Sequence, residues 1–116
     1  MTKLKVDVPE PYASLVDILT SSQYLELAIH GKDKNTTVQN LNFAILYLTY
    51  AQSYFKTYND KKMVAYIQNV INQLTKIKDN VPEQNLSDYQ SKVIYMFQGN
   101  MSSLYRKVNK LWSKLC

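Results

Sequence analysis

Glycine, proline, cysteine, histidine and arginine are all scarce in this chain. Two Gly and three Pro in 116 residues argue against a many-turned β protein and for long helices with short connections. The single cysteine, Cys116, is the last residue. It excludes an intramolecular disulfide and makes a reducing compartment the default. It reads as a terminal thiol without a role, an intermolecular disulfide being the alternative. The single histidine, His30, has only Glu26 at i−4 for company. Metal sites gather several His, Cys, Asp or Glu at ligand spacing, so His30 reads instead as a cation at a helix C-terminus, where the dipole favours it.

Catalytic chemistry is excluded on the same grounds. Seven of the nine acids (Asp7, Glu10, Asp33, Asp60, Asp79, Glu83 and Asp88) fall at expected helix ends or in loops, positions that suit caps and solvated turns. Asp17 and Glu26 lie inside a helix but on different turns, so no carboxylate pair is formed for acid–base work. A Cys116–His30 pair would place its nucleophile on a frayed terminus, a poor place for preorganisation. No Gly-rich loop is present to cradle phosphate. Small helical-bundle ribonucleases of the HEPN type carry an Arg followed closely by a His. The only Arg here, Arg106, has no His after it, and the resemblance fails at that motif. We therefore expect no enzyme, cofactor or metal.

Charge is present but modest: 14 basic and 9 acidic residues give a net charge of +5. All the basic residues but Arg106 are lysine, whereas Arg is favoured for bidentate phosphate and guanine recognition. The first residues, MTKLKVD, lack the apolar core of a signal peptide. The longest uncharged stretch, 35–55, is sprinkled with Asn, Gln, Thr and Ser, which suits a membrane span badly. The expectation is a cytoplasmic protein for which a membrane partner is unlikely on composition. Length and 46% hydrophobic content fit one folded domain.

What is there is helical periodicity. Residues 1–10 alternate Leu4, Val6 and Val8 with charged neighbours and are expected as an extended N-terminal arm. Residues 11–116 are expected to form an all-α bundle of about four helices. Helix 1 starts near Pro11, with Leu15, Ile18, Leu25 and Ile29 on one face and Val16, Leu19 and Ala28 beside it. Ser21-Ser22 is a place for it to bend or break, and Gly31 is a natural C-cap. Thr36 or Thr37 is expected to cap helix 2. Asn59-Asp60 separates helices 2 and 3, Asp60 capping the latter. Met63, Ile67, Val70, Leu74 and Ile77 give helix 3 a clean apolar stripe. Ser87 with Gln90 forms a capping-box pattern ahead of a long helix 4, in which Gly99-Asn100 is the expected kink.

The chain is organised around residues 37–58, where Lys56 is the one charge. Val38, Leu41, Ile45, Leu48 and Phe55 form one apolar stripe. Phe43, Tyr47, Tyr50, Tyr54 and Tyr58 form a second, roughly 180–260° round the helix. A helix apolar on two sides is normally covered on two sides, and Tyr is enriched at interfaces that keep its hydroxyl wet. The second stripe is therefore either a bundle core with hydroxyls at the rim or a surface for self-association or a protein partner. A second candidate surface is basic. Lys92, Arg106, Lys107, Lys110 and Lys114 share one side of helix 4 with no acid after Tyr89, and Tyr105 and Trp112 flank its seam. Lys76 and Lys78 on helix 3 extend the row if the helices are adjacent. Basic side chains interleaved with aromatics track a phosphate backbone and stack on bases; the plain alternative is a solvated face that complements the helix dipole.

In size, Lys/Tyr/Asn usage and helix count the chain is similar to the small helical subunits of CRISPR effector complexes and to helical proteins of archaeal viruses. No motif carries that likeness, and it transfers no residue. Two functions are therefore expected to compete. One is a non-enzymatic helical module that oligomerises or docks a protein partner through the aromatic stripe. The other is a nucleic-acid-binding accessory protein using the lysine rows.

Overall fold

Small residues set the first packing step. Ser14, Ser21 and Ala28 recur every seventh position on α1 (Glu10–Ile29), and Thr37, Ala44 and Ala51 do so on α2 (Lys34–Thr57). All six are fully buried. Seven residues are two helical turns, so each set lies along one line of its helix. The two lines face each other across an antiparallel hairpin. Ser21 Oγ donates to the backbone carbonyl of Ala44 at 2.7 Å, a bond that so short a side chain makes only when the two main chains are adjacent. The structure, a computed structural model, describes residues 10–114; the expected N-terminal arm and Cys116 lie outside them.

The Ser21-Ser22 break does not occur. The Ser21 hydroxyl is spent on the neighbouring helix rather than on its own backbone, so α1 runs unbroken through it. Gly31 serves closeness, not conformation. Its φ is not positive, but a Cβ there would meet Thr37 Oγ1 at 2.5 Å and Thr37 N at 3.2 Å. The cap of α2 is Asp33, one turn earlier than expected. Its Oδ1 accepts from Thr36 N at 2.8 Å, leaving Thr37 free to turn inward and donate to Asp33 O at 2.9 Å.

The α2–α3 turn follows the sequence closely. Asn59 takes φ 59°, the left-handed conformation Asn tolerates. Asn59 N–H returns to Lys56 O and Asp60 N–H to Phe55 O, which satisfies the last carbonyls of α2. Asp60 then caps α3 (Lys61–Asp79) by accepting from Met63 N at 3.0 Å. Buried Gln52 fixes the register of this second hairpin by donating to Val64 O and Gln68 Oε1, both at 3.0 Å.

After a loop that buries Val81, the last helix, α4, runs from Leu86 to Ser113 in three consecutive pieces: Leu86–Tyr89, a π-helical turn Gln90–Ile94, and Tyr95–Ser113. The capping box does not form, because Asn85 at φ 60° occupies the cap position. Gln90 is instead buried and reaches the α1–α2 corner. Its Nε2 lies 3.0 Å from Ala28 O, 3.0 Å from Gly31 O and 3.1 Å from Thr37 Oγ1. The irregularity of α4 thus begins at the residue tied to the corner and not at Gly99, which is exposed and helical.

Together α1–α4 make an all-α bundle, with no strand among the described residues. Helix α3 packs on α2 and α4 on α1, while α3 and α4 barely approach each other. The core is continuous from Leu15 and Leu25 through Leu41, Leu48 and Phe55 to Leu74, Phe97, Leu104 and Trp112.

Two glycine substitutions test this account with opposite signs. Thr37 Oγ1 is pinned by Asp33 O and Gln90 and cannot swing away, so Gly31→Ala should cost about 1–3 kcal/mol, the range for overpacking. Gly99 has open space where a Cβ would go, so Gly99→Ala should stabilise by about 1 kcal/mol. Urea midpoints of the two variants against the parent chain read both.

Candidate functional site

Two surfaces were expected, and the structure treats them differently. The aromatic stripe of α2 lies along the outer flank of the α1–α2 pair. Phe43, Tyr50 and Tyr58 are exposed at 38, 46 and 48%, while Tyr47 and Tyr54 are half-buried between them. It is neither core nor free-standing. Tyr24 of α1 lies over it, with ring centroids 5.0 Å from Phe43 and 5.7 Å from Tyr47, and Tyr47 meets Tyr50 edge-on at 5.5 Å. Tyr58 departs from the group, turning its edge to Trp112 at 5.9 Å.

Helix α1 carries exposed apolar residues of its own, which the sequence reading missed. Tyr12, Val16, Leu19 and Leu27 are about half exposed and fall within about 80° of one another on the wheel. Val16 and Leu19 were expected beside the core face. The small-residue line sets the α2-facing side of α1 and turns them outward instead. Leu46 of α2 is exposed as well. The periodic signal was present, but α1 is apolar on nearly every side, so its burial direction was not readable without the heptad of small residues.

One carboxylate sits on this surface. Asp17 lies seven residues before Tyr24, on the same line of α1. Partial burial pushes its carboxyl above the usual range. A second carboxylate of α1, Glu26, points to α4. Its Oε1 accepts from Gln98 Nε2 at 2.9 Å and its Oε2 lies 3.1 Å from His30 Nε2. The Gln98 bond, with His30 second, holds Glu26 below the usual carboxylate range. His30 is thus engaged with Glu26. Among the described residues no group of three or more His, Cys, Asp or Glu stands where a metal ion would need it.

The basic residues divide. Lys107, Lys110 and Lys114 line one groove together with Lys62 and Asp60, over Met63 and Leu111, a space of about 370 Å³. The α3 partner of the α4 row is therefore Lys62, at the start of α3. Lys76 and Lys78 are expected members that the structure places elsewhere. The helices run antiparallel, so these two stand beside the start of α4, where Tyr89 Oη donates to Ile77 O at 2.7 Å. Lys78 pairs with Asp79 at 3.7 Å and Lys92 with Asp88 at 3.1 Å. Arg106 lines a different groove, on the α1 side of α4, with Ile18, Leu19, Ser22 and Tyr105. Of the expected stacking aromatics, Tyr105 is half-buried in the groove with Arg106, and Trp112 is committed to the core. Trp112 is buried against Phe55 at 5.3 Å and donates Nε1–H to Ser14 Oγ at 2.9 Å.

No protein-family model, curated protein or solved structure matches this chain. No described helix is long and apolar enough to cross a membrane.

Asp17 gives a pH-dependent expectation. Its folded-state pKa is raised, so the ionised form is disfavoured by folding at neutral pH and the cost fades as pH falls through that pKa. Asp17→Asn should therefore stabilise at pH 7, by less than about 1 kcal/mol after solvent screening. The gain should shrink toward pH 4. Thermal melts of both chains at the two pH values measure it.

Proposed function

We propose that this chain is a non-enzymatic helical module that self-associates through the outer face of the α1–α2 pair. The observation that carries the reading is the ring cluster of Tyr24, Phe43, Tyr47 and Tyr50, in which Phe43 and Tyr50 are exposed, with Val16, Leu27 and Leu46 exposed on the same two helices. Contiguous apolar surface of this kind marks interaction sites rather than ordinary solvent-facing helix.

Charge distribution supports a second copy as the occupant. Helix α1 carries three acids and no base, and α2 only Lys34 and Lys56 near its ends. Helices α3 and α4 carry eight bases and two acids. Pairing two copies face to face along α1–α2 brings together nearly neutral surfaces and leaves the basic helices apart, whereas any contact through α3–α4 sets like charges opposite each other. The area is adequate. Two adjacent helices about 30 Å long present on the order of 500 Å² in projection, and side-chain relief raises the accessible area toward the ~800 Å² per partner of a standard interface. The nucleic-acid alternative retains its lysines, but Trp112, one of the two aromatics expected to stack on bases, is buried against Phe55.

Light scattering on a sizing column reads the outcome. The parent chain should run as a dimer at tens of micromolar. Tyr50→Glu, which places a charge at an exposed member of the ring cluster, should weaken dimerisation by at least ~30-fold, the loss expected at a hot spot, with an unchanged circular dichroism spectrum. A parent chain that stays monomeric at several hundred micromolar would sink the reading. If the face is shared with Asp17, dimerisation should also strengthen between pH 7 and pH 5, because covering a carboxylate favours its neutral form.

A further inference from the structure

The groove between the start of α3 and the end of α4 combines two kinds of chemistry. Its floor is apolar, made by Met63 and the half-buried Leu111, and its rim carries Lys62, Lys107, Lys110 and Lys114, with Asp60 the one acid at its edge. The helices separate here rather than pack. They touch through long side chains, Lys107 Nζ lying 5.1 Å from the Tyr66 ring centroid and Asn100 reaching Gln73 at 3.3 Å further along. Lys107, Lys110 and Lys114 follow one another at i, i+3 and i+7, about 10 Å of helix length. Among the described residues none of Lys62, Lys107, Lys110 and Lys114 has a carboxylate within ion-pair distance, whereas Lys78 and Lys92 do.

We propose that this groove binds an acidic, amphipathic segment of another protein, its carboxylates on the lysine rim and an apolar side chain on the Met63–Leu111 floor. The floor decides between partners. A nucleic-acid backbone offers phosphates to the rim but nothing to cover two apolar side chains, and the Tyr66 ring already has the Lys107 ammonium above it. An amphipathic acidic helix supplies both complements at helical spacing. Lysine rather than arginine suits this task, since carboxylates on mobile side chains are met by point charges on flexible stems without bidentate geometry. The site lies on α3 and α4 and does not depend on self-association through α1–α2.

Fluorescence anisotropy with three labelled probes of equal charge tests the assignment. These are a helical peptide with Glu and Leu on opposite faces, a glutamate-rich peptide without apolar residues, and a thymidine oligonucleotide. The amphipathic peptide should bind at least ~10-fold more tightly than either other probe, about 1.4 kcal/mol, and weaken as salt is raised. Lys110→Glu with Lys114→Glu should cost that probe at least ~10-fold. Lys76→Glu with Lys92→Glu, the same change in net charge away from the groove, should cost less than ~3-fold, in line with salt-screened action at a distance. Tighter binding of the oligonucleotide would hand the groove to nucleic acid and overturn the proposal. So would equal binding of the two peptides, equal loss in the two double variants, or no binding of any probe.

Discussion

The close approach of α1 to α2 is the constraint on which the other contacts rest. A helix pair separated by leucines stands about 8–10 Å apart. A seam of Ser14, Ser21, Ala28, Thr37, Ala44 and Ala51 permits less, and the Ser21–Ala44 bond requires it. Once the two helices are that close, their large residues cannot lie between them and must go to either side. On one side, Leu15, Ile18, Leu25, Leu41, Leu48 and Phe55 meet α3 and α4. On the other, Tyr24, Phe43, Tyr47 and Tyr50 are left to stack among themselves. The aromatic face is thus the geometric consequence of a seam too narrow to hold it.

A seam of small residues gives little directional information, because several registers bury it equally well. Buried and half-buried polar groups supply the register, one or more for each helix pair: Ser21 for α1 with α2, Gln52 for α2 with α3, half-buried Tyr89 for α4 with α3, and Gln90 and Trp112 for α4 with α1. Each would be left unsatisfied by a slip of one turn, at roughly 1–3 kcal/mol apiece. Gln90 carries the most, since it answers two carbonyls at the end of α1 that have no partner within the helix. That α4 changes its winding where Gln90 points inward fits this role.

The helices themselves were legible because periodicity reports which residues share a face. The stripe of Met63, Ile67, Val70 and Leu74 and the turn at Asn59-Asp60 could be read directly. What could not be read was direction in helices that are apolar all round. Val16 and Leu19 look like core in isolation, and only the line of Ser14, Ser21 and Ala28 shows that the inward side lies elsewhere. Polar residues misled for a related reason. Ser21, Thr37 and Gln90 carry the signatures of breaks and caps, and each is buried as an interhelical tie. The lysine rows failed in register alone. Lys107, Lys110 and Lys114 do share a groove, but antiparallel packing brings Lys62 to them and leaves Lys76 and Lys78 at the far end.

The division of the surface into a neutral apolar side and a basic side has an energetic reason of its own. Eight basic residues on α3 and α4 repel one another, and that repulsion falls off over a Debye length of about 8 Å at physiological salt. Spread along two helices about 28–42 Å long, the cations are mostly beyond that range of each other. The groove at Lys62, Lys107, Lys110 and Lys114 is an exception, where two helices bring four lysines together with Asp60 alone at the edge. The apolar floor aggravates this, since Met63 and Leu111 offer the ammonium groups no hydrogen bonds. A concentration of like charge over apolar surface is costly in the free protein, and the cost is relieved by an anion that also covers the floor. Two copies joined through α1–α2 would carry such grooves on opposite outer sides, so a partner presenting two acidic segments would gain from both at once only if its linker spans the pair.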